Sequence, residues 1–216
     1  MTVNSPRLKD LALVMVKPGE TMRRILDSGP HRWGAEIAVL ACISSSIGDF
    51  DVRGLKGVLP DLDLTSTMSL VVLGMVLGAI IWVIFLFLAS GLAMLIGRTL
   101  GGTGSYADVR TALGWSLVPI IWALVFRVPL AIYLHRLPIN SVNPHTLFFE
   151  FITSGGLALT IVLIAIKIVV EVWIFVIATF GLAEALQFSW GKGVATVLIA
   201  IAIPIVLAAA FVLTMR

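Results

Sequence analysis

The stretch LTSTMSLVVLGMVLGAIIWVIFLFLASGLAMLIG, residues 64–97, contains no charged residue. A helix that crosses a bilayer needs about 20 consecutive apolar residues, so this run can cross with length to spare. A second uncharged run, residues 193–215, has the length of one crossing. Over the whole chain 59% of the residues are hydrophobic and 12% are charged, whereas soluble domains carry about 25% charged residues. The composition predicts an integral membrane protein.

Five apolar segments predict an all-α fold, a polytopic helical membrane bundle. Besides the two uncharged runs, one span is expected from about residue 108 to 134 and another from about 155 to 186. The least apolar segment, WGAEIAVLACISSSI at residues 33–47, contains Glu36 and three serines. Because it is short and partly polar, it is either a buried span or a re-entrant helix.

The N-terminal region has a different pattern. Apolar residues recur there at i, i+3, i+4 and i+7, namely Leu8, Leu11, Ala12 and Met15. This spacing predicts an amphipathic helix at the membrane surface, with Lys9 and Asp10 off the apolar stripe. Pro18 ends that helix, and a second short helix follows. Residues 1–32 are therefore expected to form an interfacial arm and residues 33–216 the transmembrane domain; alternatively, the arm packs on the spans.

The basic residues predict an orientation. If the N-terminus is cytoplasmic, the inner edges of five spans carry nine Lys and Arg residues and the outer edges carry five. The positive-inside rule then favours a cytoplasmic N-terminus and an external C-terminus, in the cytoplasmic (inner) membrane. Three arginines of the arm, Arg23, Arg24 and Arg32, are expected near anionic headgroups of the lipid bilayer. No signal peptide is expected, since charged residues occupy its apolar core.

Several kinds of site are not expected. The single cysteine, Cys42, cannot form an intrachain disulfide, and the three histidines are far apart, so we expect no metal and no cofactor. The scattered basic residues do not suggest nucleic-acid binding. No paired aspartates and no nucleophile motif lie within the spans, so an enzyme is not expected.

A glycine-rich turn precedes the third span, in GGTGSYADVRTALGWSLVPIIW, residues 101–122. It is not a phosphate-binding P-loop, because Thr103 stands where the lysine is required. Glycines at this point instead predict a sharp chain reversal, followed by a capping box of Ser105 and Asp108. Pro119 is expected to kink the span, and Gly114 to leave room for a neighbouring helix.

Residues 101–119 resemble the central signature of the Yip family (Yip-one domain) of small five-span membrane proteins. The residues that carry the resemblance are Gly101, Gly102, Ser105, Gly114, Trp115, Ser116 and Pro119, with Trp where Tyr is usual. The stretch 181–200 is similar to the family's junction of the fourth and fifth spans, and KPGETMRRILDSGP is similar to the arm of prokaryotic members. Eukaryotic members have a long cytosolic region and a D-L-Y-G-P motif that this chain lacks, so binding of a Rab-type GTPase is not expected.

The resemblance implies a non-enzymatic protein that organises or adapts membrane components through protein or lipid contacts, with other membrane proteins or a homo-oligomer as partners. The alternative is a small transporter or channel that uses Lys167 and Glu171, which lie one turn apart in the fourth span. Such charges are costly in a bilayer. They are either a functional site or a neutralised pair that points into the bundle. Gly74 and Gly78 form a G-x-x-x-G step, which predicts a helix-packing face within the chain or between copies.

Overall fold

The computed structural model describes residues 8–28, 33–49, 67–135 and 157–215. Within these ranges the chain is helical and contains no strand. The helices are α1 (Leu8–Val16), α2 (Pro18–Leu26), α3 (Gly34–Asp49), α4 (Thr67–Thr99), α5 (Tyr106–Ser116), α6 (Val118–Trp122), α7 (Leu124–His135), α8 (Leu157–Leu186) and α9 (Trp190–Thr214). The all-α helical bundle predicted from the sequence is confirmed.

Four helical stretches in the described residues are long and apolar enough to cross a membrane: Val72–Thr99, Tyr106–Pro129, Ile161–Leu186 and Trp190–Thr214. Helix α3 is apolar but has only 16 residues, or about 24 Å at 1.5 Å per residue. That is shorter than the roughly 30 Å hydrocarbon layer. Its buried residues include Ile37, Ala38 and Cys42, so it packs within the bundle. Full crossing by this segment stays a prediction.

The third span is interrupted near Pro119, as the sequence predicts. Helix α5 ends at Ser116, and the chain tightens to i→i+3 hydrogen bonds from Leu117 N–H to Gly114 O and from Ile120 N–H to Leu117 O. Proline has no N–H to continue the α-helical ladder, which accounts for the break at this point. A second break follows at Ala123, between α6 and α7.

The arm belongs to the same hydrophobic core as the spans. Val14, Met22 and Ile25 of α1 and α2 are fully or almost fully buried in one cluster with residues of α4, α5, α8 and α9. The sequence leaves two possibilities for the arm, a position at the membrane surface or packing on the spans. In the structure the arm packs on the spans. Two span tryptophans hold α1 in place: Trp122 Nε1 donates to Leu11 O and Trp173 Nε1 to Met15 O, both at 3.1 Å.

One residue of the arm lies on a different side from the one expected. Asp10, placed by the sequence pattern on the polar side of α1, is only 3% exposed. Its carboxylate accepts a hydrogen bond from Arg24 of α2, which turns this face of α1 towards the second arm helix. A buried carboxylate is tolerated when it is paired in this way. Leu8 and Ala12 of the apolar stripe are exposed, and their contact with lipid stays a prediction.

Candidate functional site at the glycine-rich edge

Two chain reversals meet at one end of the bundle. Residues 100–105 connect α4 to α5, and residues 187–189 connect α8 to α9. The Thr103 N–H donates to Leu186 O at 3.0 Å, and the Thr103 hydroxyl donates to Gln187 Oε1 at 3.2 Å. We call this end, residues 97–105 and 184–189, the glycine-rich edge. Its two halves are held together directly by backbone and side-chain hydrogen bonds.

Helix α4 ends at this edge in a Schellman motif. Gly101 adopts φ +86°, in the left-handed region that favours glycine. The Gly102 N–H donates to Gly97 O at 2.8 Å and the Gly101 N–H to Arg98 O at 3.0 Å, which are the two bonds of the motif. The glycines therefore serve the sharp reversal that the sequence predicts.

Helix α8 ends in the same motif without a glycine. Gln187 has φ 56°, its N–H donates to Glu184 O, and the Phe188 N–H donates to Ala183 O at 3.1 Å. A side chain in this region is strained by roughly 1 kcal/mol or more, and such a conformation persists when the surroundings hold it. Here the hydrogen bonds of Thr103 to Leu186 and Gln187 supply that support.

The glycine loop lies against the end of α8 at a distance that excludes side chains. A Cβ atom added to Gly104 would lie 1.7 Å from Ala185 O, and one added to Gly97 would lie 2.4 Å from the Leu186 side chain. At Gly102 it would lie 3.0 Å from Gly97 O. Glycine is therefore required at Gly104 for close approach, a reason distinct from the backbone angle at Gly101.

Helix α5 begins at this edge with the capping box predicted from the sequence. The Asp108 N–H donates to Ser105 Oγ at 3.2 Å, and the Ser105 N–H donates to Asp108 Oδ2 at 3.1 Å. These bonds satisfy backbone donors that a helix start leaves unpaired. Asp108 also places a negative charge at the positive end of the helix dipole.

An ion pair joins the arm to the edge. Arg23 of α2 donates from Nε and Nη2 to the two carboxylate oxygens of Glu184, both at 3.0 Å. The hydrogen bond to Glu184 and its negative charge raise the pKa of Arg23, so this guanidinium stays charged. Glu184 lies near the C-terminus of α8, where the helix dipole disfavours a carboxylate, and the arginine compensates for that.

A polar cleft of about 420 Å³ opens between the arm and the edge. It is lined by Arg23, Leu26, Asp27, Asp108, Glu184, Ala185 and Gln187. In the described residues no three His, Cys, Asp or Glu side chains are grouped so as to hold a metal ion. The cleft offers both signs of charge, which suits contact with a polar peptide segment or a lipid headgroup.

The remaining signature residues lie deeper, in helix packing. A Cβ atom on Gly114 would lie 2.3 Å from Gly34 O, so α3 crosses α5 at two glycines. Trp115 is fully buried, and the Ser116 hydroxyl donates to Leu113 O at 2.7 Å. The signature thus divides into a docking part, Gly101 to Ser105, and a packing part, Gly114 to Pro119.

Of the other residues predicted from the sequence, Arg23 belongs to this site, and Lys167, Glu171, Gly74 and Gly78 lie away from it. Lys167 and Glu171 are exposed on the outer side of α8, so the expectation that they point into the bundle is wrong. Gly74 is buried, and a Cβ on Gly78 would lie 3.1 Å from Cys42 Sγ of α3. Arg23 and Arg24 are held by carboxylates, whereas Arg32 lies outside the described residues.

Sequence reasoning missed Glu184, Gln187 and Thr103 as members of the site. One signal was available for Glu184, because an acidic residue near the end of a membrane span needs a cation nearby. For Gln187 and Thr103 no sequence signal exists, since their roles depend on how the two reversals meet.

A family model described as the Yip1 domain matches residues 12–213, nearly the whole chain. The match includes α2, both halves of the glycine-rich edge and, apart from Thr214, all four candidate spans. Neither a curated protein nor a solved structure gives a match to the chain.

Proposed function

Because this chain belongs to the Yip1 domain family, a family of membrane proteins, we propose that it is a non-enzymatic, multi-pass protein that organises or adapts other membrane components. Its contact surface is the cleft between the arm and the glycine-rich edge. The observation that most directly supports this proposal is the Arg23–Glu184 ion pair at that cleft, in which both nitrogen–oxygen distances are 3.0 Å. A partner that presents its own charged group can compete for either member of the pair.

The chemistry at the edge supports contact rather than catalysis. Ser105 and Asp108 are used in capping α5, and Thr103 and Gln187 are used in docking the two reversals. The Arg23 and Glu184 side chains neutralise each other. These polar groups stabilise the shape of the surface, and a partner binds in the cleft beside them.

Charge supports a cytoplasmic position for this surface. Arg98 lies at the end of α4, before the first reversal, and Lys192 lies at the start of α9, after the second. Arg23 and Arg24 lie on the adjoining arm. The positive-inside rule places such a basic edge on the cytoplasmic side of the inner membrane. The C-terminus of α9 then lies outside.

Cysteine labelling tests this orientation. In a Cys42→Ala background, Asp27→Cys and Met215→Cys should react from opposite sides of intact membrane vesicles. Asp27→Cys should be blocked by a membrane-impermeant maleimide only when the cytoplasmic side is exposed. Labelling of both positions from one side would contradict the proposed topology.

Site-specific photocrosslinking in intact cells tests the contact surface. A crosslinker at Asp27, on the rim of the cleft, should give a discrete adduct, and one at the lipid-facing Leu213 of α9 should not give that adduct. Arg23→Glu should abolish the adduct, and the exchanged pair Arg23→Glu with Glu184→Arg should restore it. An adduct unchanged by Arg23→Glu, or ion flux through the purified protein in liposomes, would contradict the proposal.

A further inference from the structure

The outward face of α8 carries two opposite charges among apolar side chains. Lys167 and Glu171 are exposed, and so are Ile164, Ile168 and Val172 around them. The two charged residues precede Leu186 by 19 and 15 residues, or about 28 and 22 Å along the helix. Within the candidate span Ile161–Leu186, Glu171 lies near the middle and Lys167 lies about one turn nearer the start.

Neither charge is satisfied by the described part of the chain. Within those residues no ion pair or hydrogen bond involves Lys167 or Glu171, and the two do not pair with each other. Lys before Glu at i, i+4 is the less favourable order on a helix. A charge left facing lipid at the centre of a span, where Glu171 lies, costs on the order of 2.5–3.5 kcal/mol on insertion scales.

A partner that satisfies both charges offers a carboxylate and an ammonium at matching depth. Lipid tails offer neither. A second copy offers both, because a two-fold axis along the membrane normal brings the same patch of each copy together and requires the patch to be self-complementary. A patch with one positive and one negative charge meets this requirement.

We propose that the outward face of α8 is a homodimer interface, in which Lys167 of each copy pairs with Glu171 of the other. The two residues are one turn apart, about 6 Å along the axis. The flexible four-carbon stem of lysine reaches across this offset between parallel helices. Ile164 and Ile168 lie on the same seam, at i−3 and i+1 from Lys167, and provide its apolar contact.

A charge-exchange experiment in liposomes tests the dimer. Copies labelled with donor and acceptor dyes on Lys192→Cys, in the Cys42→Ala background, should show energy transfer that falls on dilution with lipid. Lys167→Glu alone and Glu171→Lys alone should each weaken self-association roughly tenfold or more, because each places like charges together. A one-to-one mixture of these two variants should associate again, since opposite charges then face each other.

The mixing experiment distinguishes a disrupted interface from misfolding, because misfolded variants would not regain self-association when they are mixed. As a second readout, Ile164→Cys should form a disulfide-linked dimer in membranes, whereas Phe211→Cys on α9 should not. Wild-type protein that stays monomeric at all lipid ratios, or single variants that associate as well as wild type, would overturn the proposal. The proposed function at the glycine-rich edge would stand in either case, since its crosslinking test reads another surface.

Discussion

Helix α8 passes through two different environments, and the comparison shows what holds this bundle together. Towards the glycine-rich edge, Ile177, Leu182 and Leu186 are at most 1% exposed. In the first half of the same helix, Ile161, Ile164 and Ile168 are 53–58% exposed. Both halves consist mainly of apolar residues and both contain charged ones, so hydrophobicity alone does not explain the difference.

The difference lies in how closely other helices approach. Near the edge, small residues allow contact: a Cβ on Gly181 would lie 3.1 Å from both Ala112 and Met22, and one on Gly193 would lie 2.6 Å from Thr179 O. In lipid the hydrophobic effect does not drive helices together, so close packing and hydrogen bonds decide which faces associate. The first half of α8 has branched side chains in place of glycines, and it meets lipid or a partner.

The largest effect is expected where a side chain would enter the docked turns. Gly104→Ala places a methyl group 1.7 Å from Ala185 O, and separating the two reversals should cost about 3 kcal/mol or more. Thermal unfolding in detergent measures the loss. Gly91→Ala is the matched control, because nothing lies within 4 Å of a Cβ at Gly91; a similar loss in the control would remove the packing argument.

A smaller effect is expected from the capping box. Ser105→Ala removes the acceptor for the Asp108 N–H and should lower the free energy of unfolding by about 1 kcal/mol. Ser189→Ala is the control, since Ser189 caps α9 without a side-chain hydrogen bond. Chemical denaturation measures the free energy of unfolding of both variants. If both lose the same amount, the capping hydrogen bond does not account for the loss in Ser105→Ala.

The ion pair between arm and edge should matter less for global stability than for the position of the arm. The Arg23 side chain is 70% exposed, and solvent screens such a pair. Arg23→Gln should therefore leave the melting temperature almost unchanged but speed hydrogen exchange in α2. Lys17→Gln, which removes a more exposed contact to Glu20, is the control. Unchanged exchange in α2 would mean that the pair does not hold the arm.

The smallest effect is expected from an exposed apolar residue of α9. Ile205→Ala on α9 removes an exposed side chain. The free energy of unfolding in detergent should therefore change by no more than about 0.5 kcal/mol. A loss as large as that of Gly104→Ala would show that this face packs against protein.

The sequence was sufficient for the features that depend on local chemistry. Apolar segments, two of them free of charge, predicted the four candidate spans. Ser105 and Asp108 predicted the capping box, and Pro119 predicted the break. It was insufficient where distant segments meet. The depth of Asp10 depends on Arg24 of the next helix, and the outward position of Lys167 depends on which face of α8 the small residues select.

The docking of the two reversals is the central claim, and a disulfide test addresses it most directly. With Cys42 replaced by alanine, Thr103→Cys and Gln187→Cys should form an intramolecular disulfide in native membranes, because the hydrogen bond from Thr103 N–H to Leu186 O brings the two backbones together at this point. Gln187→Cys with Leu213→Cys, at the far end of α9, should stay reduced. Rapid oxidation of the first pair alone is the predicted result. If the Thr103→Cys/Gln187→Cys pair stays reduced under oxidant that crosslinks other contacts, the two reversals are not docked and the account is wrong.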